Sequence, residues 1–283
     1  MTIIIKKQNG EALLFNATGF SGGERHIQLL DTSPLETMLL TISAKITSAN
    51  DLMDLLLVEN ALRHTFGQSL EINLVLPYLP YSRQDRVCAN GQAFSLEVMT
   101  KLLNTMYIKQ LVTWDCHSDS GLALTQALNV PPAIIIESDA ALSSLLAHEN
   151  SVLVCPDKGA VPRCQKIQQR LGLKRIVFCE KLRDPATGKI IKTDVPSDDL
   201  SGRCAIITDD ICDGGFTFIK IAEQLRIRGA ERIVLFVTHG IFSKGLDVFD
   251  GLIDEVITTN SLAQQTHPKL RVINFNYTFG EPS

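Results

Sequence analysis

Ile206-Ile207-Thr208-Asp209-Asp210-Ile211-Cys212-Asp213-Gly214-Gly215-Phe216-Thr217 runs an apolar strand into two adjacent carboxylates, a short glycine loop and the start of a helix. The amides of such a loop and the positive end of the helix dipole suit a phosphate. Carboxylates at the strand tip can accept hydrogen bonds from vicinal sugar hydroxyls. Together they describe a socket for a phosphorylated ribose. The plain alternative, a tight strand-to-helix turn capped by Asp, does not explain a carboxylate pair followed by a third carboxylate before Gly-Gly.

Outward from this segment, apolar strands alternate with helical periods. The first half reads as strands Thr2–Lys6 and Glu11–Phe15, a Gly-rich turn, helix Asp51–Phe66, strand Ile72–Tyr78, an Arg-rich loop Leu79–Gln92, helix Leu96–Met106, strand Gln110–Trp114, helix Gly121–Leu128 and strand Ala133–Ile136. The second half reads as helix Ala140–His148, strand Val152–Cys155, helix Val161–Leu171, strand Arg175–Cys179, a polar stretch Glu180–Leu200, strand Cys204–Thr208, helix Thr217–Arg228, and strands Ile233–Val237 and Glu255–Thr258, with a strand or hook from Leu270 to Phe279. Strands apolar throughout and alternating with helices predict an α/β fold of mainly parallel sheets flanked by helices. Two domains are expected, 1–145 and 146–283. In such folds chemistry gathers where strands end, and three strand ends finish in acid: Asp115, Asp157 and the pair Asp209 and Asp210.

Composition narrows the class. Of 283 residues 45% are apolar and 20% charged, an ordinary globular balance, and the net charge of −4 leaves no footprint for nucleic acid. No run of about 18 apolar residues suggests a membrane span. Seven cysteines without CxxC spacing predict free thiols in a reducing compartment. A cytoplasmic enzyme is expected.

The opening segment resembles the ribose-5-phosphate loop of ribose-phosphate pyrophosphokinases, relatives of the type I phosphoribosyltransferases. Asp209, Asp210, Asp213, Gly215 and Thr217 match that loop, whereas Gly214 stands where Thr is usual and Phe216 where Gly is usual. Other stretches match in the same order. Phe20-Ser21-Gly22-Gly23-Glu24 resembles an adenine-binding F-x-D-G-E turn, Tyr81-Ser82-Arg83-Gln84-Asp85 a nucleotide loop, and Asp115-Cys116-His117 a D-x-H motif. Asp157, in Pro156-Asp157-Lys158-Gly159-Ala160-Val161-Pro162-Arg163, matches P-D-x-G-G-x-x-R, and Lys181-Leu182-Arg183 the K-x-R of a catalytic loop.

The resemblance implies two type I phosphoribosyltransferase-like domains and the transfer of diphosphate from ATP to the C1 hydroxyl of ribose 5-phosphate. It implies that Phe20, Glu24, Arg83, Gln84 and His117 bind ATP, and that His117 and Asp157 hold Mg2+. It further implies that Asp209, Asp210, Asp213, Gly214, Gly215, Phe216 and Thr217 bind the ribose phosphate, while Lys181, Arg183 and His117 act in catalysis. The adenine turn serves a neighbouring subunit in that family, so a homo-oligomer is implied, a dimer or a hexamer built from dimers. Three alternatives stay open: the same reaction on ADP-ribose or another 5-substituted ribose, a non-catalytic regulatory paralogue, and a phosphoribosyltransferase that consumes the activated sugar.

Overall fold

A computed structural model describes residues 3–183, 190–194 and 199–280, with the side chains of 181–183 and 190–194 left out of the description. The chain divides into two compact units, Met1–Val130 and Pro131–Ser283.

The first unit contains β1 (Ile3–Lys7), β2 (Ala12–Leu13), β3 (Phe15–Gly19), β4 (Arg25–Leu29), β5 (Leu39–Ala44), α1 (Ala49–Phe66), β6 (Glu71–Leu76), α2 (Ser95–Asn104), β7 (Gln110–Trp114), α3 (Asp119–Thr125) and β8 (Leu128–Val130). Its sheet has the order β2-β1-β5-β6-β7-β8, parallel from β5 to β8 and antiparallel at the β1 edge. Strand β6 is buried from Ile72 to Leu76, the polar Asn73 included. Helix α1 opens on a capping box, Ser48 and Asp51 exchanging side-chain and backbone hydrogen bonds, which satisfies amides a helix start leaves unpaired. Its Leu52, Leu55, Val58 and Leu62 pack on Ile3, Ile5, Leu40 and Ile42 in one core. Strands β3 and β4 form a separate hairpin.

The second unit contains α4 (Pro132–Glu137), α5 (Ala140–Ala147), β9 (Ser151–Cys155), α6 (Val161–Leu171), β10 (Ile176–Phe178), β11 (Glu180–Arg183), β12 (Ile190–Asp194), β13 (Cys204–Cys212), α7 (Phe216–Ile227), β14 (Arg232–Gly240), β15 (Glu255–Thr259) and β16 (Leu270–Ile273). Its six-stranded sheet, β10-β9-β13-β14-β15-β16, is parallel throughout. Every parallel connection therefore delivers its strand end to the same edge, where β9 and β13 carry the carboxylates.

Strand β13 runs on to Cys212, past the expected end at Thr208, and two segments change type. Ala133–Ile136 is the helix α4, because Pro132 in its first turn presets a helical φ and the buried Ala133, Ile135 and Ile136 repeat at helical spacing. The polar stretch after Glu180 holds an antiparallel hairpin, β11 paired with β12. Among the described residues no helix is long and apolar enough to cross a membrane.

Candidate active site

In the second unit, β13 extends through its carboxylates rather than stopping before them, so Asp209 and Asp210 sit on the strand's carboxyl-terminal end. Asp209 lies in register with Val237 of β14. Their side chains are 18% and 7% exposed. Arg163 reaches both, at 3.3 Å to Asp209 Oδ1 and 3.5 Å to Asp210 Oδ1. Burial, then the neighbouring Asp210, push the Asp209 carboxyl well above its ordinary range; Arg163 opposes that, and Asp157 adds to it. Asp157 caps a 3-10 turn, accepting the Ala160 N–H at 3.1 Å. The carboxylates expected to hold sugar and metal thus feel one another.

The loop that follows is built on Gly215. Its φ of +79° and a Phe249 ring carbon 2.7 Å from where a Cβ would stand both demand glycine. Helix α7 then starts without a side-chain cap, leaving first-turn amides for an anion. Strand β14's exit loop braces this loop: Ile241 and Phe242 donate to the Cys212 carbonyl at 2.8 and 3.1 Å, and Ser243 to that of Asp213 at 3.2 Å. Gly214 leaves room beside Lys244, whose Cγ lies 3.5 Å from a built Cβ. Phe216 is 56% exposed, with the Lys220 ammonium 5.9 Å from its ring centre. Thr217 follows in the first turn.

In the first unit, the Arg-rich loop and the D-x-H segment converge. Arg83, Gln84, Arg86, Gln92, Ser95 and His117 line one cavity of about 600 Å3. Backbone strain marks its borders, with φ of +62° at Tyr81 and +42° at Asp115; such strain costs free energy and collects at functional sites. Phe20 and Glu24 stand at the tip of the β3–β4 hairpin, where the Phe20 N–H donates to the Glu24 carbonyl at 2.9 Å. The Phe20 ring is 61% exposed and meets His26 at 5.7 Å. A second cavity, about 540 Å3, opens at the opposite ends of the strands and contains none of the residues singled out from the sequence.

The backbones of Lys181 and Arg183 lie on β11, Lys181 opposite Thr193; their side chains lie outside the described residues. Among the described residues no three His, Cys, Asp or Glu side chains form a ready metal cage. The oxygen set of Asp157 fits Mg2+ nonetheless, since that ion is commonly held by one or two carboxylates and finished by substrate phosphates and water. Arg163, Lys220 and Lys244 were not assigned from the sequence. Arg163 stood in a quoted motif, but its partners lie 46 and 47 residues away, and no local pattern announces such a pairing.

Known proteins resemble this chain over most of its length. Residues 3–106 match the family model for the N-terminal domain of ribose phosphate pyrophosphokinase, and 190–278 that for the phosphoribosyl synthetase-associated domain. A ribose-phosphate pyrophosphokinase of Pyrococcus furiosus is 31% identical, over 86% of this chain and 84% of the relative. One of Mycoplasmopsis pulmonis is 30% identical, over 92% and 81%. The crystal structure of phosphoribosylpyrophosphate synthetase from Mycobacterium smegmatis shares the fold, with a TM-score of 0.76 at 24% identity, over 93% of this chain and 87% of that one.

Proposed function

The chain belongs to the ribose-phosphate pyrophosphokinase family and is a diphosphokinase, and from that premise we propose that it moves the diphosphate end of ATP onto the C1 hydroxyl of ribose 5-phosphate. The observation that carries the proposal is the edge of the second sheet, where a carboxylate pair leads directly into an uncapped helix start around Gly215. Asp209 and Asp210 accept from the ribose hydroxyls. The Asp213–Thr217 loop holds the 5-phosphate on its amides. Arg83 and Gln84 orient the ATP phosphates in their cavity, with Arg83 able to fork onto two oxygens. Phe20 and Glu24, exposed at the hairpin tip, serve the adenine of a neighbouring copy, which makes the working enzyme a homo-oligomer.

The C1 hydroxyl oxygen attacks the β-phosphorus in line, its proton passing to solvent as the new P–O bond forms. The bond from that phosphorus to the α,β-bridging oxygen breaks, and AMP leaves with the electron pair. Lys181 and Arg183 close over the charge that grows on the bridging oxygen, the kind of contact that lowers a barrier most because it forms in the transition state. Asp157 and His117 would hold Mg2+, which supplies neutralisation of the polyphosphate charge when bound. Positioning and charge compensation suffice, without a covalent enzyme intermediate. Seven free cysteines suit a reducing cytoplasm.

One observation favours a second reading, in which the acceptor is a 5-substituted ribose such as ADP-ribose. Phe216 presents an exposed ring with Lys220 beside it where the family loop has glycine, an aromatic face and a cation suited to a further phosphate and base. Incubation with ATP, Mg2+ and each acceptor in turn, with products weighed by mass spectrometry, tests both readings. Release of AMP with a diphosphorylated ribose 5-phosphate supports the first, and turnover of ADP-ribose alone supports the second. Absence of AMP with every acceptor would overturn both acceptor readings.

A further inference from the structure

Two consecutive residues tack the first turn of α6 onto the end of β13. Arg163 meets Asp209 Oδ1 and Asp210 Oδ1 at 3.3 and 3.5 Å. Cys164, fully buried, places its Sγ 3.4 Å from the hydroxyl of Thr208, the residue just before the pair. The helix start is itself rigid, because Pro162 fixes φ in the first turn and Asp157 caps the turn that leads into it. The guanidinium therefore arrives from a fixed direction rather than on a loose surface arm. All three charged side chains are largely withdrawn from water, at 13%, 18% and 7% exposure, so the contact is screened far less than a surface ion pair.

Adjacent strand residues normally point to opposite faces. Here one planar cation touches both carboxylates, and the Asp210 N–H donates to Asp209 Oδ1 at 3.0 Å. Both carboxylates are thus engaged by the protein, and their orientation is set from outside the strand. Two acceptors held at a fixed separation are what recognition of neighbouring hydroxyls requires.

We propose that Arg163 is the positioning residue for acceptor specificity, clamping Asp209 and Asp210 so that together they read the vicinal hydroxyls of the ribose. This rests on the reading of that pair as the sugar's acceptors. Arg163 itself touches no reacting atom. A lysine at this position keeps the charge but offers a point cation in place of a fork, so it can hold one carboxylate but not set both.

The test measures kcat and KM for whichever ribose acceptor turns over and for its 2-deoxy counterpart, in wild type, Arg163→Lys and Arg163→Gln, with KM for ATP read in parallel. Wild type is expected to prefer the ribose acceptor on the order of 10⁴-fold, because a site built to bond a hydroxyl rejects the analogue lacking it. In Arg163→Lys that preference should fall about tenfold, with a raised acceptor KM and an unaltered ATP KM, as expected for one lost charge-assisted hydrogen bond. Arg163→Gln should fall further. Arg163→Lys retains charge and bulk, so it answers the question even if Arg163→Gln does not fold. Retained preference in Arg163→Lys, or parallel losses for both acceptors and ATP, overturns the proposal alone. A wild type indifferent to the 2-hydroxyl overturns the diol reading of the pair and this proposal with it.

Discussion

Arg25 grips Asp54 through two parallel hydrogen bonds of 2.7 and 2.6 Å, joining the β3–β4 hairpin to the second turn of α1. Fork-to-carboxylate geometry fixes direction as well as distance. Arg25 follows Glu24 directly, so the contact sets how the hairpin tip, with the Phe20 ring, is presented.

Removal of that grip should act on the nucleotide and spare the sugar. Asp54→Asn keeps the shape but loses the charge, and Arg25→Ala loses the fork. Both are expected to raise KM for ATP several-fold while KM for the ribose acceptor stays put. Steady-state kinetics with each substrate varied in turn checks this. Equal shifts in both constants would mean the hairpin has no special relation to ATP.

The two loop glycines should respond in opposite ways. At Gly215 a methyl would meet the Phe249 ring at 2.7 Å on a backbone with φ +79°, so Gly215→Ala should cost about 1–3 kcal/mol of stability and weaken acceptor binding. At Gly214 the nearest atom, Lys244 Cγ, is at an ordinary 3.5 Å and φ is not positive. Gly214→Thr should fold normally and, by returning a hydroxyl to the loop, lower KM for ribose 5-phosphate. Denaturant unfolding and acceptor KM values separate the two cases.

Where chemistry is concentrated in sequence, the sequence was readable. The strand Gln110–Trp114 and the helix Val161–Leu171 have the predicted bounds, because each carries one uninterrupted pattern. The helix Pro132–Glu137 carries three consecutive isoleucines, which favour a strand locally, and only the preceding prolines and the packing of its buried face reverse that. Strand β8 is three residues long and follows a left-handed Gln126, too short to show a period. Of the candidate site, the residues proposed from the sequence, including Asp209, Asp213 and Gly215, lie within one motif each. The links between motifs were not visible: Arg163 with Asp209, Arg25 with Asp54, and the bracing of Cys212 by Ile241 depend on which strands lie side by side.

Lys181→Ala tests the catalytic loop. If Lys181 acts only as charge develops, kcat should fall on the order of 10²–10³-fold while ATP binds as before. Single-turnover rates together with equilibrium titration of ATP separate the two effects. A variant with normal turnover removes Lys181 from the mechanism.

Asp209 makes a prediction about stability and pH. Its folded-state pKa lies well above the ordinary 3.8, chiefly from burial and then from Asp210. The folded protein therefore binds more protons than the unfolded chain across that interval, and stability falls as pH rises through it. The favourable contribution is complete below pH 3.8 and is lost by the time pH passes the raised folded-state value. Asp209→Asn cannot ionise, and Arg163 keeps Asp210 as a partner. The variant should gain thermal stability relative to wild type as pH climbs from 4 toward 8, losing activity while it gains Tm. Melting temperatures of ligand-free protein across that range provide the check. A stability difference that does not change with pH would show that Asp209 ionises in the folded protein as freely as it does in the unfolded chain.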